Sequence, residues 1–205
     1  MERIIQQYIV NNNDKFQRYN SWNHCFKAFA ELKDEKLLSL HLGFYLASWG
    51  MYRGSSKLLE RDYLVHAEAI IIIKKYWYLR CGPDNEVSSI NVESILKLIE
   101  ELSFYYKTKH DVTPTDTLIS KIILGTLGCL PAFDRFFIDG VKEKEYSFTS
   151  LKKKSLEGLF YFFEANQLEL KNIQKQHPHY PIMKIVDMYF WQIGFNSSTI
   201  KTING

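Results

Sequence analysis

The stretch LLSLHLGFYLASWGMY, residues 37–52, decides the fold of this sequence. It is the longest strongly apolar run without a charged side chain, and it is 16 residues long. Because a helix needs about 20 apolar residues to cross a bilayer, the run predicts a buried core helix rather than a membrane span. The helix should begin near Glu35, since the negative charges of Asp34 and Glu35 favour a helix N-terminus.

The positions of this helix separate into two faces at 100° per residue. One face carries small residues that permit close approach of another helix or of a ligand: Gly43, Ala47, Gly50 and, if the helix continues, Gly54. The other carries polar and aromatic side chains, followed directly by a cation and two hydroxyls: His41, Phe44, Tyr45, Ser48 and Tyr52 with Trp49 at the edge, then Arg53, Ser55 and Ser56.

Two interpretations of the polar-aromatic face stay open. In the first, the helix is a core element, and its polar groups form internal hydrogen bonds as buried polar groups must. In the second, it is the wall of a pocket. Aromatic rings would then stack on a planar ligand, Arg53 would hold an anion, and Ser55 and Ser56 would bind phosphate.

Helical periodicity also dominates the rest of the chain, and no segment shows convincing strand alternation. Further helices are predicted from Asn20 or Ser21, over 64–79, from Asn91 to about 107, from a Thr113 cap to about 127, over the short segment 131–138, from Ser150 to about 171, and over 182–193 up to Gly194. The pattern predicts an all-α bundle of about eight or nine helices around the central small-residue and aromatic helix 35–53. We expect a single domain, 1–205, with subregions 1–82 and 91–195, a boundary loop at 82–91 and a polar tail at 196–205.

Composition narrows the class of protein further. Of the 205 residues, 46% are apolar and 24% are charged, which is ordinary for a globular chain and excludes a disordered or fibrous one. The formal net charge of +3 is too small to indicate a nucleic-acid partner on its own. The three cysteines have no disulfide or zinc spacing, and no secretory signal is visible. We therefore expect a cytoplasmic protein with no metal ion, no cofactor and no membrane partner; the oligomeric state is not predicted.

The segment LGTLGCLPAFDR, residues 124–135, is the second unusual part of the sequence. Two glycines and Pro131 precede Asp134, which apolar residues surround in the sequence. A carboxylate in such surroundings either pairs with a cation or has a raised pKa. Asp134 is therefore either a structural carboxylate in an ion pair or a catalytic acid, base or electrostatic stabiliser, with Arg135 beside it and Arg53 as a cation from across the fold.

The segments HLGFYLASWGMYRGSS (41–56) and LGTLGCLPAFDRFF (124–137) resemble two blocks of an uncharacterised bacterial all-α family, a resemblance that implies no particular chemistry. The second segment is also remotely similar to the helix-hairpin-helix DNA glycosylases, all-α enzymes with a Gly-rich hairpin ahead of a catalytic Asp. Its glycine spacing differs from the G-x-G of those enzymes. This similarity implies that Asp134 stabilises positive charge developing on the sugar, while Tyr45, Trp49 or Tyr52 stacks on an extruded base.

Two functions of different classes follow as hypotheses. The first is base excision on modified or unusual DNA bases. Its catalytic residues would be Asp134 and His41, and its substrate-binding residues would be Tyr45, Trp49, Tyr52, Arg53, Ser55, Ser56 and Arg135, all facing one cleft. The second is a non-catalytic helical module that binds a partner protein or a small anionic ligand. It predicts Asp134 in a buried ion pair and an exposed apolar patch elsewhere. A role in bacterial defence against phage is compatible with this second hypothesis.

Overall fold

The computed structural model describes residues 1–11, 14–82 and 91–203, with side chains up to Thr199, and this part of the chain consists of helices and loops. The α-helices are α1 (Glu2–Asn11), α2 (Asn20–Glu31), α3 (Glu35–Ser48), α4 (Ala67–Lys75), α5 (Val92–His110), α6 (Asp116–Thr126), α7 (Arg135–Glu143), α8 (Lys153–Ala165), α9 (Gln167–Gln176) and α10 (Ile182–Ile203). Short 3₁₀ turns lie at Gly54–Ser56, Tyr63–His66 and Trp77–Leu79. The predicted all-α bundle is confirmed. Among the described helices, none has the length and apolar character that a membrane crossing needs.

Helices α6 and α10 are the most enclosed elements. In α6 every residue from Leu118 to Thr126 is buried, and in α10 Ile182–Gly194 is buried except for the half-buried Tyr189. Helices α1, α7 and α9 pack on α10, whereas α2, α3 and α5 pack on α6. Because these two helices are surrounded by others, they form the centre of the bundle. Helix α3, the expected central helix, instead leaves Leu37, Leu40 and Phe44 exposed.

Helices α7 and α10 cross with their backbones in contact. A Cβ atom built on Gly140 would lie 1.9 Å from the carbonyl oxygen of Phe190, and one on Gly194 would lie 2.0 Å from that of Phe136. Only glycine permits so close an approach. The predicted helix end at Gly194 is therefore wrong: this residue is the contact point with α7, and α10 continues to Ile203.

The connection between α6 and α7 is fixed by hydrogen bonds on both sides of Phe133. The amide of Ala132 donates to Asp187 Oδ1 at 3.0 Å, and the amide of Phe133 donates to Ser120 Oγ at 2.8 Å. Thr117 Oγ1 donates to the Phe133 carbonyl at 2.9 Å. These bonds satisfy the backbone of a buried loop, which would otherwise lose its hydrogen bonds to water.

Helix α3 ends earlier than predicted. It stops at Ser48, and Gly50 follows with a φ of +69°, in the left-handed region that favours glycine. The amide of Met51 then donates to the Leu46 carbonyl at 2.9 Å, which closes the helix end. The expected small-residue face is packed only at Gly43, where a Cβ atom would lie 3.2 Å from Tyr63 Cβ, whereas Ala47 and Gly50 are exposed.

Other boundaries also differ from the predictions. The region 64–79 is α4 flanked by two 3₁₀ turns, and the predicted helix 150–171 is two helices that meet at Asn166. Helix α6 is capped by the side chain of Thr115 rather than by that of Thr113. Helix α1 was not predicted. The predicted boundary loop at 82–91 lies outside the described residues apart from its two ends, and the division into domains stays a prediction.

The α7–α10 crossing gives a direct test of packing. We expect Gly140→Ala to lower the free energy of unfolding by about 2 kcal/mol or more, because the new methyl group meets backbone that cannot rotate away. Gly158→Ala in α8 is the matched control, since its Cβ would lie at an ordinary 3.8 Å from Phe148. There alanine should be neutral or gain about 0.5–1 kcal/mol from helix propensity. Urea unfolding of both variants measures the difference, and equal stabilities would contradict the crossing.

Candidate functional site

A cleft of about 300 Å³ opens where the segment after α3 meets the start of α7 and the middle of α10. We call it the arginine cleft. Its lining comes from five parts of the chain: Arg18, Trp49, Met51, Arg53, Thr117, Lys121, Asp134, Arg135, Phe136 and Trp191. The polar segment after α3 and the Asp134 segment thus face the same cavity.

The cleft brings together four of the predicted site residues. Trp49 and Arg53 reach it because α3 ends at Ser48 and the chain turns across the end of α6. Asp134 and Arg135 reach it from the first turn of α7. Four of the residues that the base-excision hypothesis expects in one cleft therefore lie together.

The other predicted site residues lie elsewhere. Tyr45 is only 2% exposed, and its ring packs against Gly125 of α6 inside the core. Ser56 is buried, and its hydroxyl lies 2.6 Å from the Met51 carbonyl oxygen, so it holds the turn together. Tyr52 forms a hydrogen bond with His66, whereas His41 and Ser55 are absent from the cleft lining. The residues predicted to line one pocket therefore lie in different places. Tyr45 points into the core, and α3 ends before Tyr52.

Asp134 occupies the floor of the cleft with both carboxylate oxygens engaged. Oδ2 lies 2.8 Å from Lys121 Nζ, and Oδ1 accepts a 3.1 Å hydrogen bond from the amide of Phe137, which caps α7. The side chains of Lys121 and Asp134 are 4% and 14% exposed. Lys121 Nζ also lies 4.6 Å from the ring centroid of Trp49. The second hypothesis predicted an ion pair of this kind.

Three exposed guanidinium groups surround this floor. Arg18 stacks over the ring of Trp49 at 5.0 Å, and Arg135 stacks over that of Phe136 at 4.6 Å. None of the guanidinium groups of Arg18, Arg53 and Arg135 forms an ion pair with a carboxylate among the described residues. Four cations and one carboxylate line the cleft, so its net charge is +4 − 1 = +3.

The two indoles in the cleft wall have unpaired donors. Nε1 of Trp49 and Nε1 of Trp191 are buried and have no hydrogen-bond partner among the described residues. The rings of Trp49 and Trp191 are perpendicular with their centroids 6.1 Å apart, and the ring of Tyr19 is perpendicular to that of Trp49 at 5.2 Å. Buried donors without partners are rare in folded proteins, so these two set the cleft wall apart from the rest of the core.

Among the charged and indole side chains of the cleft, three were not predicted from the sequence. Arg18 precedes α2, and Trp191 lies in the middle of α10, so neither is near the predicted segments in sequence. Lys121 carried a usable signal. It is the only charged residue between Asp116 and Asp134, and a lysine in so apolar a helix requires a carboxylate partner.

No described group of three or more His, Cys, Asp or Glu side chains is arranged to hold a metal ion. Comparison of the chain with protein-family models, with curated proteins and with solved structures finds no match. The ligand of the arginine cleft is therefore inferred from the geometry and charge of its side chains.

A buried histidine supports the segment that leads into the cleft. The ring of His66 is fully buried between two phenols, with Nε2 at 2.9 Å from the Tyr52 hydroxyl and Nδ1 at 2.7 Å from the Tyr106 hydroxyl. Burial, and secondarily the charge of His110, lowers the pKa of His66 to about 3. The imidazole is therefore neutral, with one nitrogen donating and the other accepting.

This pKa predicts loss of stability in acid. Above pH 6.5 His66 is neutral in both the folded and the unfolded state. Below pH 6.5 the unfolded chain binds a proton at His66, whereas the folded protein does not bind one until about pH 3. Stability should fall over this window by at most about 1.4 kcal/mol per pH unit. Urea unfolding from pH 7.5 to 4.5 should show a shallower decline for His66→Gln than for the native chain, although the variant is less stable at pH 7.5. Parallel declines would contradict the assignment.

Proposed function

We propose that the arginine cleft binds an anionic ligand, and that the group it recognises is a phosphate or a phosphate ester. The observation that carries the proposal is the set of three guanidinium groups, from Arg18, Arg53 and Arg135, that share one cleft and have no carboxylate partner among the described residues. Guanidinium presents paired N–H donors that match the oxygens of a phosphate.

The floor of the cleft is compatible with an anion. The charge of Asp134 is matched by Lys121 at 2.8 Å, so the carboxylate does not dominate the local field. Arg18 and Arg135 already lie over aromatic rings, which limits the side-chain freedom that they lose on binding. A volume of about 300 Å³ suits a small ligand or one part of a larger one.

Calorimetric titration tests this function at low salt. We expect saturable binding of inorganic phosphate or of a short oligothymidylate, and each of Arg53→Ala and Arg135→Ala should weaken it about tenfold, the loss of one charge-assisted hydrogen bond. Arg61→Ala is the matched control, an exposed arginine outside the cleft lining. Equal effects of all three variants, or no saturable binding of either probe, would overturn the proposal.

Base excision on modified or unusual DNA bases is the second candidate, with bacterial defence against phage as one setting for it. The observation in its favour is that Asp134 shares the cleft with Trp49 and Arg53. In this reaction water adds to the sugar carbon as the base departs, and Asp134 would stabilise the positive charge that develops on the sugar. Trp49 would stack on the extruded base, and the arginines would hold the flanking phosphates.

Incubation with duplexes that carry uracil, hypoxanthine or an alkylated purine separates the two candidates. Base excision predicts abasic sites, revealed by alkaline strand cleavage, that disappear in Asp134→Asn while the far-ultraviolet circular dichroism stays native. If no duplex is cleaved and phosphate still binds, the cleft is a binding site without this activity.

A further inference from the structure

A second cavity, of about 490 Å³, lies between α1, the start of α2, the loop after α9 and the start of α10. We call it the histidine pocket, after three imidazoles in its lining, those of His24, His177 and His179. Lys15 and Lys184 also line it, and the described lining includes no aspartate or glutamate. A cavity lined by cations and imidazoles without a carboxylate is suited to an anion.

The three imidazoles are available for a ligand. None of them forms a side-chain hydrogen bond within the described part of the chain, although His179 lies against the ring of Tyr180 at 3.9 Å. Burial, and secondarily the charge of His177, lowers the pKa of His179. An anion bound beside His179 would oppose both effects, since it favours the protonated form of that imidazole.

The walls and the base of the pocket are aromatic. Tyr8, Tyr19, Trp22 and Tyr180 contribute rings, and the centroids of Trp22 and Tyr180 are 5.7 Å apart. At the base, Lys184 Nζ lies 5.3 Å from the Trp22 centroid, and its charge is matched by Asp187 at 2.7 Å. Of the two described lysines in the lining, Lys15 is exposed, with its Nζ 4.7 Å from the centroid of Phe16, and it can meet a ligand; the rings provide surface for a planar group.

We propose that the histidine pocket is a second binding site, for a small ligand that combines a planar ring with a phosphate-like anionic group and is about the size of a mononucleotide. The ring packs against the half-buried Tyr19 and Tyr180, and the anionic group is held by Lys15 and the imidazoles. This site is independent of the arginine cleft: the residues that line one pocket do not line the other.

The imidazoles make binding sensitive to pH. The other charged or titratable groups that face the ligand are Lys15, the tyrosines and Lys184 with Asp187 behind it. Among side chains of these types, only imidazole ordinarily titrates between pH 8 and pH 6. Protonation adds positive charge and a second N–H donor to each ring, so the affinity for an anion increases as the pH falls.

Titration of the full chain with adenosine 5′-monophosphate, adenosine and inorganic phosphate tests the site. We expect the monophosphate to bind more tightly than either part alone, and more tightly at pH 6.0 than at pH 8.0, because a protonated imidazole attracts the anion. In proton NMR spectra the imidazole signals of His24, His177 and His179 should move, and that of His41, outside both cavities, should not.

Variants separate this site from the arginine cleft. The double variant His177→Asn/His179→Asn should weaken binding of the monophosphate at pH 6.0 at least about fivefold, through loss of charge-assisted hydrogen bonds. His41→Asn should leave it unchanged. Because the arginine cleft can also bind the phosphate group of the monophosphate, the comparison is repeated in the Arg53→Ala/Arg135→Ala background, where the signals of the three imidazoles should still move on binding. The proposal is overturned if, in this background, the monophosphate no longer binds, if the histidine substitutions leave its affinity unchanged, or if it binds no more tightly than phosphate.

Discussion

Two carboxylates, the largely buried Asp134 and the buried Asp187, hold the connection between α6 and α7. Asp187 accepts a hydrogen bond from the amide of Ala132, Asp134 accepts one from that of Phe137, and each carboxylate pairs with a buried lysine. Removing one partner of such a pair leaves an uncompensated buried charge and costs about 3–5 kcal/mol. The Lys121–Asp134 pair therefore joins α6 to the start of α7, and the hydrogen bond from Ala132 to Asp187 joins the loop between them to α10, within which the Lys184–Asp187 pair lies. The arginine cleft exists because these helices meet where they do.

The two cavities are divided by a group of aromatic rings. Tyr8 and Tyr19 line the histidine pocket, whereas Trp49 and Trp191 line the arginine cleft. Tyr19 meets Trp49 edge-on at 5.2 Å, and Tyr8 meets Trp191 at 5.6 Å. Aromatic residues make up 15% of the sequence, and many of them serve packing, as in the enclosed α10. The rings at this division touch both the core and a cavity.

Local sequence predicted the helices but not all of their ends. Gly50 and Gly194 carry the same local signal, yet α3 ends just before Gly50 and α10 continues through Gly194. The difference is tertiary: Gly50 faces open space with a positive φ, whereas Gly194 lies against the backbone of α7. The cleft was predictable only in part for the same reason. Trp49 and Asp134 belong to unusual local segments, but Lys121 and Trp191 reach the cleft through packing between distant helices.

Occupancy of the arginine cleft by an oxyanion is tested most directly by diffraction from crystals soaked in tungstate, a phosphate analogue whose metal scatters anomalously. We predict an anomalous peak in the cleft, with the tungstate oxygens within hydrogen-bond distance of the guanidinium groups of Arg53 and Arg135. An anomalous map with tungstate at other positions and none in the cleft, at a concentration that saturates those other positions, would contradict an anion-binding function for this cleft.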